Sequence, residues 1–278
     1  MIEAIHKRKS VRTYTDQPIE KEKREKILDL FQQNQYGPFG NEVRFKLIDL
    51  DTMQQKEVKT LGTYGIINGA KLYIVSAVKE SAKTMVDVGY CFEKIILSAA
   101  NLGLGTCWMG GTFKRASFSK QINVSDDEVV PIVSPIGYAH KKRTLRDKAI
   151  RRMAKGDTRK PWQDLFFNSD MNSSLSNDAA GEYSSVLECV RLGPSATNFQ
   201  PWRIIKESEK DIFHLYLKRT KGYNKAPNVA DLQMIDMGIA MCHFELAAQE
   251  SGIAGKWENQ RPSKDMGNVE YIVSWMPF

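Results

Sequence analysis

The chain has 278 residues, 42% of them apolar and 26% charged, the balance of a folded globular protein and not of a disordered or fibrous one. No apolar run is long enough to span a bilayer, and Met1-Ile2-Glu3-Ala4-Ile5-His6 lacks the core of a signal peptide, so a cytoplasmic protein without a membrane partner is expected. The net charge of +7 raises nucleic-acid binding, but the basic residues concentrate between Lys141 and Lys160 and no recognition motif accompanies them, so no nucleic acid is expected.

Residues 1–12 make a short amphipathic start that ends in Arg8-Lys9-Ser10-Val11-Arg12. Pro18 opens a new segment, in which Ile27, Leu28 and Phe31 recur at helical spacing and predict a helix within Ile19 to Phe31. Gly37-Pro38-Phe39-Gly40-Asn41 is a loop by its glycine and proline content. Strands are expected at Phe45 to Ile48 and, fully buried, at Lys71 to Ser76. Asp87 to Leu102 reads as a long helix, closed by Gly103-Leu104-Gly105 because glycine tolerates the turn that ends a helix. Val129 to Ile136 reads as a strand, and the basic stretch as a helix ending near Pro161. Asn168 to Gly181, rich in Ser, Asn and Asp, reads as a linker or long loop. After it come a helix from Glu182 to Leu192, a loop from Gly193 to Pro201 and a strand from Trp202 to Ile205. A helix from Asp236 to Gln249 and a strand from Val269 to Trp275 complete the chain.

The second run of elements repeats the first. Asp87, Gly89, Ala99, Gly103 and Trp108 recur without a gap as Asp236, Gly238, Ala248, Gly252 and Trp257, an offset of 236 − 87 = 149. Asn41 and Phe45-Lys46-Leu47-Ile48 match Asn198 and Trp202-Arg203-Ile204-Ile205 at 198 − 41 = 157, and Ile132-Val133-Ser134 matches Ile272-Val273-Ser274 at 272 − 132 = 140. Order and register hold throughout. Two copies of a long unit point to an intramolecular pseudo-dimer and not to a solenoid. The expected fold is therefore α+β. Residues 1–167 form one sheet-plus-helix half, 168–181 the linker and 182–278 a second, truncated half.

Three segments could carry chemistry. Arg8-Lys9-Ser10-Val11-Arg12 puts three cations and a hydroxyl in five residues, suited to an anion or to an electron-rich ring edge, or to nothing more than a basic surface turn. Gly193-Pro194-Ser195-Ala196-Thr197-Asn198-Phe199-Gln200-Pro201-Trp202 sets short polar side chains between two stiffening prolines, which suits the donor–acceptor edge of a heteroaromatic ring, or a helix-to-strand turn capped by Ser195. Gly105-Thr106-Cys107-Trp108-Met109-Gly110-Gly111 either lets the backbone approach a ligand closely or makes a tight turn. Cys91, Cys107, Cys189 and Cys242 lack metal or redox spacing and read as small buried residues. His6, His140, His214 and His243 likewise show no metal spacing, and no metal site is expected.

Together these segments resemble the FMN-dependent nitroreductase family. Ile136-Gly137-Tyr138 and Arg159-Lys160-Pro161-Trp162-Gln163-Asp164-Leu165 fit the same pattern. The likeness covers most of the chain outside the linker and points within the family to the "putative TM nitroreductase" branch, in which one chain carries both halves. The resemblance implies that Arg8, Lys9, Ser10 and Arg12 meet the FMN phosphate and ring edge. It further implies that Met109, Gly110 and Gly111 lie beside the isoalloxazine, and that Arg159 is a second phosphate partner. Pro194, Ser195, Asn198 and Gln200 would arrive from what is a partner subunit in two-chain relatives. It implies hydride transfer from NAD(P)H to FMN and on to a small electron acceptor such as a nitroaromatic or quinone. No side chain is singled out as a catalytic acid or base. A flavin-binding or regulatory protein on the same scaffold is the alternative.

The repeat also bears on stoichiometry. The first half owns the basic motif and the glycine pair, and the second owns Ser195, Asn198 and Gln200. A second site would need a basic motif before Glu182, glycines after Trp257 and a serine in the place of Phe39. The sequence offers Ser176-Asn177-Asp178, Glu258-Asn259 and Phe39. One FMN per chain is expected, and a monomer can suffice because the pseudo-dimer interface is covalently joined.

Overall fold

Each half builds its sheet in the same strand order and lays one long helix against it. The computed structural model describes residues 1–141, 144–153, 156, 158–223 and 230–278. In the first half α1 (Ile2–Lys7) and α2 (Lys21–Gln33) precede β1 (Arg44–Asp49), α3 (Gln55–Val58), β2 (Leu72–Lys79) and α4 (Thr84–Asn101). Then come β3 (Gly105–Thr106), α5 (Arg115–Ile122), β4 (Glu128–Val129), β5 (Val133–Gly137) and α6 (Leu145–Met153). The second half holds β6 (Phe166–Asn168), α7 (Asn177–Ala180), α8 (Ser184–Leu192), β7 (Trp202–Lys206), β8 (Phe213–Leu217), α9 (Leu232–Glu250), β9 (Gly255–Glu258) and β10 (Glu270–Pro277). The sheets run β1-β2-β5-β3, with β4 beside β2, and β6-β7-β8-β10-β9. Removing β4 and β6 leaves one order written twice, so the sequence repeat is a repeat of topology in an α+β arrangement.

Local differences from the sequence reading have simple causes. Pro131 has no N–H to give a ladder, and it lies in the gap between β4 and β5, where one strand was expected. Helix α9 starts at Leu232, before the repeated Asp236, because Asp231 accepts from Met234 N and caps it. Gly103, with φ 77°, ends α4 as expected. The stretch 168–181 is folded: Leu175 and Ala180 are buried, and Leu175 N donates to Phe166 O at 3.0 Å. Strand β6 pairs parallel with β7, so the chain that leaves the first half joins the second half's sheet at once. Of the basic stretch, α6 covers Leu145–Met153, while Lys142, Arg143, Ala154, Lys155 and Asp157 lie outside the described residues.

The two long helices, apolar around most of their circumference, cross at the centre of the molecule. The crossing is a glycine pair. A Cβ added to Gly89 would sit 2.0 Å from Ile235 O, and one added to Gly238 would sit 1.9 Å from Val86 O. The backbones touch where the two copies carry the same residue, and each glycine makes the other's contact in return. Gly238→Ala is expected to cost roughly 1–3 kcal/mol, the usual effect of forcing an atom into a packed core. Gly111→Ala, which meets nothing within 4 Å, should stay within about 0.5 kcal/mol of the parent. Urea denaturation measures both, and a parental midpoint for Gly238→Ala would show that the helices are not in backbone contact.

Candidate functional site

The crossing leaves a cavity of about 360 Å³ between the halves. Its walls come from the turn after α1 (Arg8, Lys9, Ser10, Arg12), the loop after β3 (Trp108, Gly110), and α6 with its tail (Arg151, Gly156, Arg159). The second half closes it with Pro194 to Asn198 and the first turns of α9. Segments far apart in sequence meet here because α1 and α8 both pack on the paired long helices.

The basic motif is held by the backbone. Ser10 forms a bridge with Thr106, and Val11 N donates to Thr106 O at 2.8 Å, so the motif is zipped along β3. Gly105 makes this approach possible, since a Cβ there would lie 2.6 Å from Val11. The Arg8 side chain is 5% exposed, and its Nε lies 3.9 Å from Glu93 Oε1. Arg8 Nη1 is buried without a hydrogen-bond partner. Glu93 also accepts from Trp108 Nε1 at 2.7 Å and meets His243 Nε2 at 2.9 Å. Arg12 reaches Asp147 of α6 at 3.2 Å, which anchors that helix over the cavity.

The opposite wall is a strained loop. Thr197, Asn198 and Gln200 have φ of 51°, 59° and 44°, in the left-handed region that costs non-glycine residues roughly 1–3 kcal/mol each. Side chains hold the loop there. Gln200 N donates to Ser195 Oγ at 2.8 Å. Gln200 Nε2 donates to Asn198 O and Oδ1, both at 3.0 Å, and Gln200 Oε1 accepts from Lys160 N at 2.7 Å. Arg159 gives Nε and Nη2 to Leu192 O at 3.1 and 3.0 Å, a cation on the last carbonyls of α8. Asn198 Nδ2 donates to Thr158 O at 3.0 Å. Tail and loop are thus one unit.

Of the residues expected at a ligand, Arg8, Lys9, Ser10, Arg12, Gly110, Arg159, Pro194, Ser195 and Asn198 line the cavity. Met109, Gly111 and Gln200 do not. Met109 pairs with Val133 through backbone bonds of 3.0 and 3.1 Å and points into the small apolar cluster around Phe113 and Phe118. Gly111 lies in an exposed turn, and Gln200 works from behind the loop. Trp108, Arg151, Leu232, Ile235, Asp236 and Ile239 line the cavity without having been singled out for it. Trp108 and Asp236 were visible as repeated residues, and Arg151 as part of the basic stretch. Five cationic side chains share this wall, and Asp236 is the one acid there among the described residues, so the cavity favours an anion. Burial pushes the Asp236 carboxyl well above its ordinary value; the bond from Ala196 N opposes this, and nearby Asp231 adds to it.

The equivalent place in the other half is filled. Asp87 accepts from Phe39 N at 3.0 Å, from Asn41 N at 3.0 Å and from Asn41 Nδ2 at 2.8 Å. Lys83, the counterpart of Leu232 at 232 − 83 = 149, lies 4.6 Å from the Phe39 ring centre and donates to Ile272 O. Phe39 N binds Asp87 as Ala196 N binds Asp236. This fixes the register: Pro38 stands opposite Ser195, and Phe39, where a serine had been sought, stands opposite Ala196.

The family model described as "Putative TM nitroreductase" matches residues 1–248. Among solved structures, a "putative nitroreductase" from Thermotoga maritima is 19% identical with a TM-score of 0.61, and the match covers 99% of this chain and 92% of that one. An "FMN-dependent Nitroreductase" from Clostridium difficile R20291 is 24% identical with a TM-score of 0.39, over 52% of this chain and 90% of that one. A "Putative NADH dehydrogenase/NAD(P)H nitroreductase" from Parabacteroides distasonis is 25% identical with a TM-score of 0.41, over 51% and 89%. A comparison with curated proteins finds no match.

The raised Asp236 carboxyl has a consequence for stability. The folded chain keeps a proton that the unfolded chain releases above the ordinary value of 3.8, so this group's contribution falls as pH rises from there. Asp236→Asn, which has no proton to lose, should be more stable than the parent at pH 8, with the gap closing toward pH 4. Denaturant midpoints across that range test it, and a gap independent of pH would mean that the carboxyl ionises normally.

Proposed function

The chain belongs to the family described as "Putative TM nitroreductase", and from that membership we propose that it is an FMN-dependent oxidoreductase, taking hydride from NAD(P)H and passing it to a small acceptor such as a nitroaromatic or quinone. The observation that carries the reading is the buried, unpartnered Nη1 of Arg8 on a cavity where a basic motif from one half faces a polar loop from the other. A buried guanidinium nitrogen without an acceptor costs free energy until an anion or ring oxygen supplies one.

Flavin, when bound, supplies reversible two-electron chemistry. The chain's own residues supply binding and electrostatics. Arg8, Lys9, Arg12 and Arg159 offer positive charge to the phosphate and to the polar ring edge, with the Ser10 hydroxyl as a further donor. Gly110 keeps its wall thin, since a Cβ there would lie 2.3 Å from Leu232 Cδ2. Ser195 and Asn198 are held for the ring by the bonds of their loop. Cations placed before reaction stabilise a bound group that gains electrons, because little reorganisation is needed when the charge arrives.

In this reading the halves act as the two subunits of a pseudo-dimer, with one site per chain. Phe39 and Lys83 occupy the place where a second flavin would lie. Among the described residues no helix is long and apolar enough to cross a membrane; the reading takes the chain as a cytoplasmic enzyme, able to work as a monomer because both halves of the site are in one chain.

Titrating apo-protein with FMN should give one equivalent per chain and a yellow complex. Arg8→Ala should weaken binding by roughly 10- to 150-fold, the loss of ~1.5–3 kcal/mol for a charge-assisted bond. Two equivalents per chain, or unchanged affinity in a folded Arg8→Ala protein, would contradict this assignment.

A further inference from the structure

Asp236 has an oxygen that the fold leaves bare. Its Oδ1 accepts from Ala196 N at 2.9 Å, while Oδ2 is buried with no hydrogen-bond partner in a side chain on the cavity wall. The same molecule contains its own control. Asp87 sits at the equivalent turn of the equivalent helix, 236 − 87 = 149 residues earlier, and both its oxygens are taken by the loop 37–41. The helix therefore does not require an unpaired oxygen. The strained loop around Asn198 withholds the donors that Asn41 supplies to Asp87. The carboxyl has one donor and the apolar neighbours Leu232, Ile235 and Ile239, and the cations Arg8, Lys9, Arg12, Arg151 and Arg159 line the same cavity; burial outweighs them and favours the protonated form. A neutral acid whose second oxygen is unpaired has an O–H to offer a ligand.

Resting on the functional reading above, we propose that Asp236 is a catalytic acid that gives its proton to the electron acceptor as the acceptor is reduced. Reduction of an acceptor A by hydride consumes one proton (A + H⁻ + H⁺ → AH2). The nicotinamide donor supplies the two electrons. The O–H bond of Asp236 breaks as an O–H or N–H bond forms on the acceptor, and the carboxylate left behind regains a proton from solvent. An arginine guanidinium or a lysine ammonium holds its proton too tightly to serve; His6 also lines the cavity but from an exposed place on α1, whereas Asp236 is buried in its wall.

Asp236→Asn keeps an oxygen for Ala196 N and puts an N–H in the place of Oδ2 but has no transferable proton. The infrared difference between parent and Asp236→Asn apo-proteins at neutral pH should contain the carbonyl band of a protonated carboxylic acid. Both proteins should bind FMN alike and be reduced by NAD(P)H alike. Reoxidation of the pre-reduced holoenzyme by a quinone should slow by roughly 10²- to 10⁴-fold in the variant, a split between half-reactions that a loop-anchoring role would not produce. Asp236→Ser serves the same comparison if the Asn protein does not fold. Absence of the infrared band overturns the proposal, as does reoxidation at the parental rate. A parent that takes up no flavin overturns the functional reading and the proposal with it. A parent that binds flavin and reduces quinone while Asp236→Asn keeps pace overturns the proposal alone.

Discussion

Everything in this molecule hangs on the contact between Gly89 and Gly238. At both positions a single added carbon would collide with a carbonyl of the opposite helix. The close approach fixes the relative placement of α4 and α9, and through them of the two sheets. One space beside the contact is the cavity lined by Ile235, Asp236 and Ile239, and the equivalent space beside Asp87 is taken by Phe39 and Lys83. Asp87 and Asp236 stand two residues before each glycine, one at each space. A wider crossing would separate the turn after α1 from the loop before β7 and dissolve the cavity that both line.

The crossing is also bound by polar groups that only a fixed geometry could satisfy. His243 Nδ1 lies 2.8 Å from Cys189 O, a carbonyl that can only accept, so this nitrogen carries a hydrogen. Nε2 and Glu93 Oε1, 2.9 Å apart, then hold a proton between them, since two acceptors would repel. Glu93 comes from the first half and His243 from the second, both fully buried. Removing either partner would strand the other at the centre of the core, where an unpaired polar group is expensive. The same Glu93 stands beside Arg8, so the bond that joins the halves also backs the cation on the cavity wall.

What was legible in the sequence follows from what the crossing demands. Identical residues stand at equivalent places in both copies: Gly89 and Gly238 at the contact, Asp87 and Asp236 each accepting one loop N–H, Gly103 and Gly252 at the helix ends. Those positions gave the repeat, and the repeat gave the fold. Strand β8 escaped notice because Phe213 to Leu217 is buried throughout and short, with His214 breaking its apolar run; the ring reaches Ser274 Oγ at 2.6 Å, a pairing invisible in one dimension. Helix α5 is short and puts only Phe118 and Ile122 into the core, too few apolar positions to mark a helix in the sequence. In the site, residue types were readable and orientations were not. Met109 and Gly110 are neighbours, yet one side chain is locked into a core cluster and the other residue faces the cavity. Gln200 carried the right chemistry for a ligand but spends it on its own loop.

The two carboxylates show why motif and site are not the same thing. Helix, residue and burial are nearly common to Asp87 and Asp236, and desolvation by burial raises both. The difference comes from backbone conformation in the loops that face them. Around Asp87 the loop delivers two N–H groups and an amide, and Lys83 with Phe39 occupies the remaining space. Around Asp236 the left-handed turns at Thr197 and Asn198 carry the chain away, one N–H remains, and Leu232 replaces the lysine. Those turns are strained, and the bonds of Gln200, Thr158 and Arg159 that hold them add nothing to the apolar core. A fold gains no stability from keeping a strained loop, a carboxyl oxygen without a donor and a guanidinium nitrogen without an acceptor around one cavity. On one side of the crossing these groups stay short of partners, while on the other the equivalent carboxylate is satisfied by its loop, so one repeated residue serves packing in one half and is left open in the other.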